Sequence, residues 1–206
     1  MTSLEDDQFY TVESINPPVE IKVKGSRFIA NVYHVRTKHD AEDKRDRLCK
    51  SHHDATHNCY AYRISVDEYR YSDDGEPSGT AGKPIYKILE NKNLQQVLLI
   101  VTRYFGGTKL GTGGLSRAYS DAAKAVLDKS RIVLRTLYRT ISLDTEYDHM
   151  SEVIALVGRF NGVIGKTDYT EKVMISAQIP LSKFNPFQHE VNNLIDRGIV
   201  QLKITD

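Results

Sequence analysis

The segment VLLIVTRYFGGTKLGTGGLSRAY, residues 97–119, constrains the fold more than any other part of the chain. Val97 to Phe105 is an almost continuous apolar run. Such a run reads as a strand buried on both faces, because a half-exposed strand alternates apolar and polar residues. Gly106, Gly107, Gly111, Gly113 and Gly114 follow, and then Leu115, Ala118, Tyr119, Ala122, Ala125 and Val126 recur at helical spacing. A buried strand, a glycine loop over residues 106–114 and a helix from Leu115 are therefore predicted. The helix carries many small residues and can pack closely on its neighbours.

Upstream of this segment the pattern is mostly that of strands. Residues 1–18 read as a flexible lead-in closed by Pro17 and Pro18. Val19, Ile21 and Val23 alternate with Glu20, Lys22 and Lys24, and Gly25-Ser26 then turns the chain into a partner strand from Phe28 to Val35. Residues 38–52 are charge-dense, with Ala41, Leu48 and Cys49 as apolar points, and predict an exposed helix. His57–Val66 predicts a third strand and Tyr69–Ser72 a short fourth. The segment DDGEPSGTAGKP, residues 73–84, is a loop by composition. Pro84 suits the first turn of a helix that ends at Asn91–Asn93.

Beyond Leu137 a second unit is legible. Ile141, Leu143, Thr145 and Tyr147 alternate, while Met150, Val153, Ile154 and Val157 follow helical spacing. A short strand opens at Val163, and Asp168–Lys172 reads as a hairpin turn. Val173, Ile175, Ala177 and Ile179 alternate again. Asn185 and Pro186 read as an N-cap followed by proline at the first helical position. Gly198 stops that helix before a last strand at Val200, Leu202 and Ile204. This is a β-α-β-β-α-β order, the ferredoxin-like arrangement. The expected organisation is α+β, with a lead-in over 1–18, an N-terminal domain over 19–135 and a ferredoxin-like domain over 136–206.

Composition narrows the functional classes. The net charge is +1, so bulk attraction to nucleic acid is not indicated and a local basic patch would have to supply it. The longest purely apolar run, Val97–Val101, is far shorter than the roughly 20 residues of a membrane span. The acidic start, MTSLEDDQFY, has no apolar core of a signal peptide. Two cysteines, Cys49 and Cys59, complete neither a disulfide framework nor a cysteine zinc site. A reducing, cytoplasmic setting is expected, with no membrane partner.

The glycine loop carries the sharpest chemistry. Glycines ahead of a helix N-terminus can present backbone N–H groups to an anion, and the helix adds partial positive charge. Lys83, Arg103, Gly106, Gly107, Lys109, Gly111, Thr112, Gly113, Gly114, Ser116 and Arg117 are the candidate anion- or nucleic-acid-binding residues. Their spacing is neither that of a P-loop nor that of a dinucleotide fold. The competing reading is that the glycines serve only tight packing. Arg103 leaves the buried strand beside Phe105 and is expected to be exposed, where it would pair with phosphate. His57, Asp73, Asp74 and Glu76 form a secondary set for acid–base or metal chemistry. They match no metal motif, and the acids are ordinary turn residues, so no metal, cofactor or catalytic residue is assigned. Cys59 reads as a buried, inert thiol.

Three stretches, HNCYAYR at 57–63, SDDGEPSGTAGKPI at 72–85 and VTRYFGGTKLGTGGLSRAY at 101–119, resemble the IMPACT family in its bacterial YigZ-type branch. The resemblance implies that the first domain has the fold of the second domain of ribosomal protein S5. It implies that the second resembles the last domain of elongation factor G. Eukaryotic members of the family regulate translation under starvation, so a non-enzymatic role in translation or its regulation, with RNA or the ribosome as partner, is expected. Two other classes compete with it. One is an enzyme at the glycine loop, either a small-molecule phosphotransferase, for which Asp121 is the only nearby acid, or a hydrolase that adds His57 and the acids Asp73, Asp74 and Glu76. The other is a protein-interaction module built on the ferredoxin-like sheet.

Overall fold

The computed structural model describes residues 7–13 and 16–205. The chain divides into two compact units, one of residues 9–134 and one that runs from Arg135 onward and includes Asp7 and Gln8.

In the first unit the elements after the N-terminal strand β1 (Gln8–Val12) are β2 (Val19–Val23), β3 (Ser26–His34), α1 (Lys38–Ser51), β4 (His57–Arg63) and β5 (Tyr69–Ser72), followed by α2 (Gly82–Asn91), β6 (Val97–Tyr104) and α3 (Gly111–Asp128). The sheet runs β2-β3-β6-β4-β5, and every neighbouring pair is antiparallel. β6 lies at its centre, which explains its run of apolar residues. Val97, Leu99 and Val101 pack with Ile85 and Leu89 of α2 and Tyr119 and Ala122 of α3. Leu98 and Ile100 face the other way, toward Ala41 and Leu48 of α1. Strand alternation at a doubly covered sheet position thus yields two cores from one strand. α1 is held at its start by Thr37, whose Oγ1 accepts the Asp40 N–H at 3.1 Å.

The second unit contains β8 (Tyr138–Thr145), α4 (Met150–Arg159), β9 (Val163–Tyr169), β10 (Val173–Pro180), α5 (Leu181–Asp196) and β11 (Val200–Ile204). Its sheet is antiparallel in the order β11-β8-β10-β9. Val153 and Val157 of α4 share a single core with Phe184, Phe187 and Val191 of α5, over Ile141, Leu143, Ile175 and Ala177 of the sheet. Both helices therefore cover one face.

Three expectations are corrected. Residues 8–12 are not lead-in: they form β1, which pairs with β7 (Ile132–Thr136). Phe9 and Val12 are buried there, and that apolar burial outweighs the polar character of their neighbours. Of the remaining lead-in, residues 1–6, 14 and 15 lie outside the described residues. α3 starts at Gly111, one turn ahead of Leu115, so three glycines belong to the helix. α5 starts at Leu181 and carries Pro186 inside it. The N–H of Ser182 is capped by the Asp7 carboxylate at 2.9 Å, a partner 175 residues away that no local pattern announces. Burial of Phe184, Phe187, Val191 and Leu194 outweighs the backbone hydrogen bond lost at the proline.

Candidate functional site

The strand position of Arg103 decides its surroundings. It shares a face with Val97, Leu99 and Val101, so its side chain points toward the α2/α3 side. Arg103 is 5% exposed, contrary to the expectation of an exposed phosphate-binding arginine. Its Nη1 donates to Glu76 Oε1 at 2.5 Å and its Nη2 lies 3.4 Å from Ser26 Oγ. The guanidinium carbon sits 5.6 Å from the Phe28 ring centroid and 5.5 Å from that of Phe105. A buried guanidinium needs a buried counter-charge, and the 73–81 loop supplies it.

Glu76 collects further partners. Tyr119 Oη donates to Glu76 Oε1 at 2.8 Å. Cys59 Sγ lies 3.3 Å from Tyr119 Oη and 3.0 Å from the Asp73 carbonyl. Burial pushes the Cys59 thiol up, and burial together with the neighbouring thiol pushes the Tyr119 phenol up. The folded protein therefore holds these protons more tightly than the unfolded chain. Their contribution to stability is complete below about pH 8.5, where free thiols titrate, and declines above it by up to about 1.4 kcal/mol per pH unit for Cys59. In urea unfolding between pH 8 and 10.5, Cys59→Ala is expected to show a shallower loss of stability than the wild type. Equal slopes would contradict the assignment.

The other two acids of the secondary set, Asp73 and Asp74, serve the backbone. Asp73 Oδ2 accepts the Gly79 N–H at 2.8 Å, and its Oδ1 accepts those of Ala81 and Gly82, each at 2.9 Å, at the head of α2. Asp74 Oδ2 accepts the Asn58 N–H at 2.6 Å. The Asp74 carbonyl accepts from His57 Nδ1 at 2.7 Å. His57 Nε2 then faces Glu76 Oε2 across 3.9 Å. Among the described residues no three His, Cys, Asp or Glu side chains converge as a metal-binding group.

The predicted anion-binding residues are not one cluster. Arg103, Lys109, Gly111 and Thr112 line a cleft of about 460 Å³ together with His57, Glu76 and Phe105. Lys83 and Ser116 line a second depression, between α2 and α3. Gly114 and Arg117 line a third, with Lys24 and Asp121. Gly107, with φ of 84°, and Gly113 each have open space where a Cβ would project. Gly106 is a packing residue, since a Cβ there would meet the Gly25 backbone at 1.8 Å. Lys83, Lys109 and Arg117 have no ion-pair partner among the described residues. Leu110, in the N-cap position ahead of Gly111, supplies no side-chain hydrogen bond to the helix start. Sequence reasoning missed Ser26, Phe28 and Tyr119 as members of the Arg103–Glu76 network. Tyr119 falls at a core position of α3, and nothing in its spacing distinguishes a phenol with a partner from one without.

No helix among the described residues is long and apolar enough to cross a membrane. The family model described as the Impact N-terminal domain matches residues 24–127, slightly more than half of the chain. IMPACT family member YvyE of Bacillus subtilis is 34% identical over 177 residues, covering 85% of this chain and 82% of that relative. IMPACT family member YigZ of Escherichia coli is 32% identical over 185 residues, covering 88% of this chain and 90% of that relative. A crystal structure described as that of an hypothetical protein superposes with a TM-score of 0.67 at 29% identity, covering 97% of this chain and 98% of the other. By the matched domain and by relatives similar along most of their length, the chain belongs to the IMPACT family, in its bacterial YigZ-type branch.

Proposed function

We propose that this chain is a non-enzymatic cytoplasmic protein that binds RNA or a ribosome-associated surface and acts in translation or its regulation. The translational role follows from membership of a family whose eukaryotic members regulate translation. The same reading takes the domain over 19–135 as ribosomal protein S5 domain 2-like and that over 136–206 as ferredoxin-like. The antiparallel strand order β11-β8-β10-β9 with both helices on one face supports the second assignment.

One observation carries the binding reading: around the uncapped head of α3, Lys83, Lys109 and Arg117 have no acidic partner among the described residues. Unpaired cations beside backbone N–H groups at a helix start suit phosphate. Because the three cations flank the helix on different sides, an extended anionic backbone suits them better than one small anion.

In RNA-binding titrations over a range of salt, Lys109→Ala/Arg117→Ala is expected to weaken binding across sequences. For a single strand it should flatten the log–log salt slope by about 0.7 for each phosphate no longer neutralised. Gly113→Val should also weaken binding without removing charge, because it fills space now open above the helix start. Exposed substitutions of this kind change stability by only about 0.5 kcal/mol, so folding should persist. Unchanged affinity and slope in the folded double variant would overturn the reading.

A further inference from the structure

The cleft beside His57 contains an unanswered pair of hydrogen-bond acceptors. His57 Nδ1 donates to the Asp74 carbonyl, so in the neutral ring Nε2 is a lone-pair acceptor. It faces Glu76 Oε2 at 3.9 Å, beyond hydrogen-bond length. The Glu76 side chain is only 3% exposed, and Arg103 and Tyr119 both donate to its other oxygen, Oε1. Oε2 has no donor among the described residues, yet it keeps contact with solvent and opens on the cleft, where a ligand's donor can reach it. Both acceptors line the same cleft.

Two acceptors at this separation match two hydroxyl donors on adjacent carbons. One O–H reaches His57 Nε2 and the other Glu76 Oε2. Carboxylate recognition of ribose hydroxyls follows the same chemistry in dinucleotide-binding folds. The rest of the cleft suits the remainder of a nucleotide. Lys109 lines it together with Gly111 and Thr112 of the first turn of α3, a setting that suits a phosphate, and Phe105, 48% exposed, offers a ring for a base. The cleft volume of about 460 Å³ lies within the roughly 300–1,000 Å³ range of small-ligand sites. With Arg103 offsetting Glu76, Lys109 leaves the cleft net positive, as a phosphate requires.

We infer that this cleft binds a phosphorylated ribonucleoside through its free cis-2′,3′-diol, held by His57 and Glu76. The chemistry is shared by the 3′-terminal nucleotide of an RNA and a free mononucleotide. The RNA source rests on the function proposed above; the mononucleotide source does not.

The experiment measures binding of the full-length chain to an RNA decamer with a free 3′-terminal diol. The comparison ligand is the same decamer ending in a 2′,3′-dideoxynucleotide. Adenosine 5′-monophosphate and its 2′,3′-dideoxy analogue are measured separately. Removing the diol should weaken binding at least about tenfold, since it leaves Nε2 and Oε2 unanswered. In His57→Ala the difference between diol and dideoxy ligands should shrink. Discrimination by the decamers alone assigns the site to an RNA end, and discrimination by the mononucleotides alone supports the cleft while overturning the RNA reading. Tight RNA binding indifferent to the diol, with no binding of the monophosphate, overturns the cleft assignment and leaves the RNA reading standing. Absence of binding by both kinds of ligand overturns both. The ligand-side comparison uses the wild-type protein, so misfolding of a variant does not obscure the outcome.

Discussion

Glu76→Ala is expected to destabilise the first unit by about 3–5 kcal/mol, because it leaves the Arg103 guanidinium buried without its counter-charge. Three donors or near-donors converge on this carboxylate: Arg103 Nη1, Tyr119 Oη and, through Tyr119, the Cys59 thiol. Truncation removes the acceptor while the low-dielectric surroundings of the guanidinium, including Phe28 and Phe105, remain. Replacing both members, as in Glu76→Leu/Arg103→Met, should recover most of the loss, since an apolar pair of similar volume leaves no buried charge without a counter-charge. Urea denaturation of Glu76→Leu, Arg103→Met and the double variant completes the cycle. Additive losses in the double variant, or a Glu76→Ala protein as stable as the wild type, would show that the pair does not act as a unit.

Gly106→Ala is expected to be among the most damaging single-methyl additions in the chain. Its Cβ would lie 1.8 Å from the Gly25 carbonyl carbon, 2.1 Å from the Gly25 oxygen and 2.2 Å from the Ser26 nitrogen. These are backbone atoms and cannot rotate away. Gly25 itself takes φ of 83° in the turn between β2 and β3, a conformation that glycine adopts readily. Relief requires separating that turn from the end of β6, where Arg27 pairs with Tyr104 and the Gly106 N–H donates to Ser26 Oγ at 3.1 Å. The loss should reach or exceed the about 1–3 kcal/mol typical of overpacking. Gly113→Ala, by contrast, enters open space and should leave the melting temperature unchanged or raised. Thermal melts of the two variants check the contrast. Equal stability would mean that the glycines of this loop are interchangeable.

That contrast also divides the two roles considered for the loop. Gly106 answers to packing, through a neighbour some eighty residues earlier. Gly113 meets nothing within 4 Å and leaves room for an approaching backbone or phosphate. Residue type is the same at both positions, so only the surroundings separate them.

The elements themselves are largely legible without the fold. The run at Val97–Val101 announces the central strand of a doubly covered sheet, and β6 occupies that place. The alternation at Ile141/Leu143 and Val173/Ile175/Ala177, with helical spacing between, announces the β-α-β-β-α-β unit. Periodicity records which side of a strand or helix meets apolar matter, and that side is set by neighbours two to four residues away. Partners across the fold leave no such trace. Asp7 caps α5 from 175 residues away, whereas local pattern alone points to Asn185 as the start of that helix. Arg103 turns inward because Glu76, on a loop that reads locally as an exposed turn, comes to lie against the α2/α3 face of β6. The separation of Lys83, Lys109 and Arg117 into three depressions likewise depends on how α2, α3 and the β2–β3 turn meet. The periodic sequence determined the elements and their buried sides, because burial repeats with the local geometry of the chain. Tertiary packing alone decided which charges pair, which glycine is filled against another backbone and which polar atoms are left facing a cleft, because those depend on atoms brought together from distant positions.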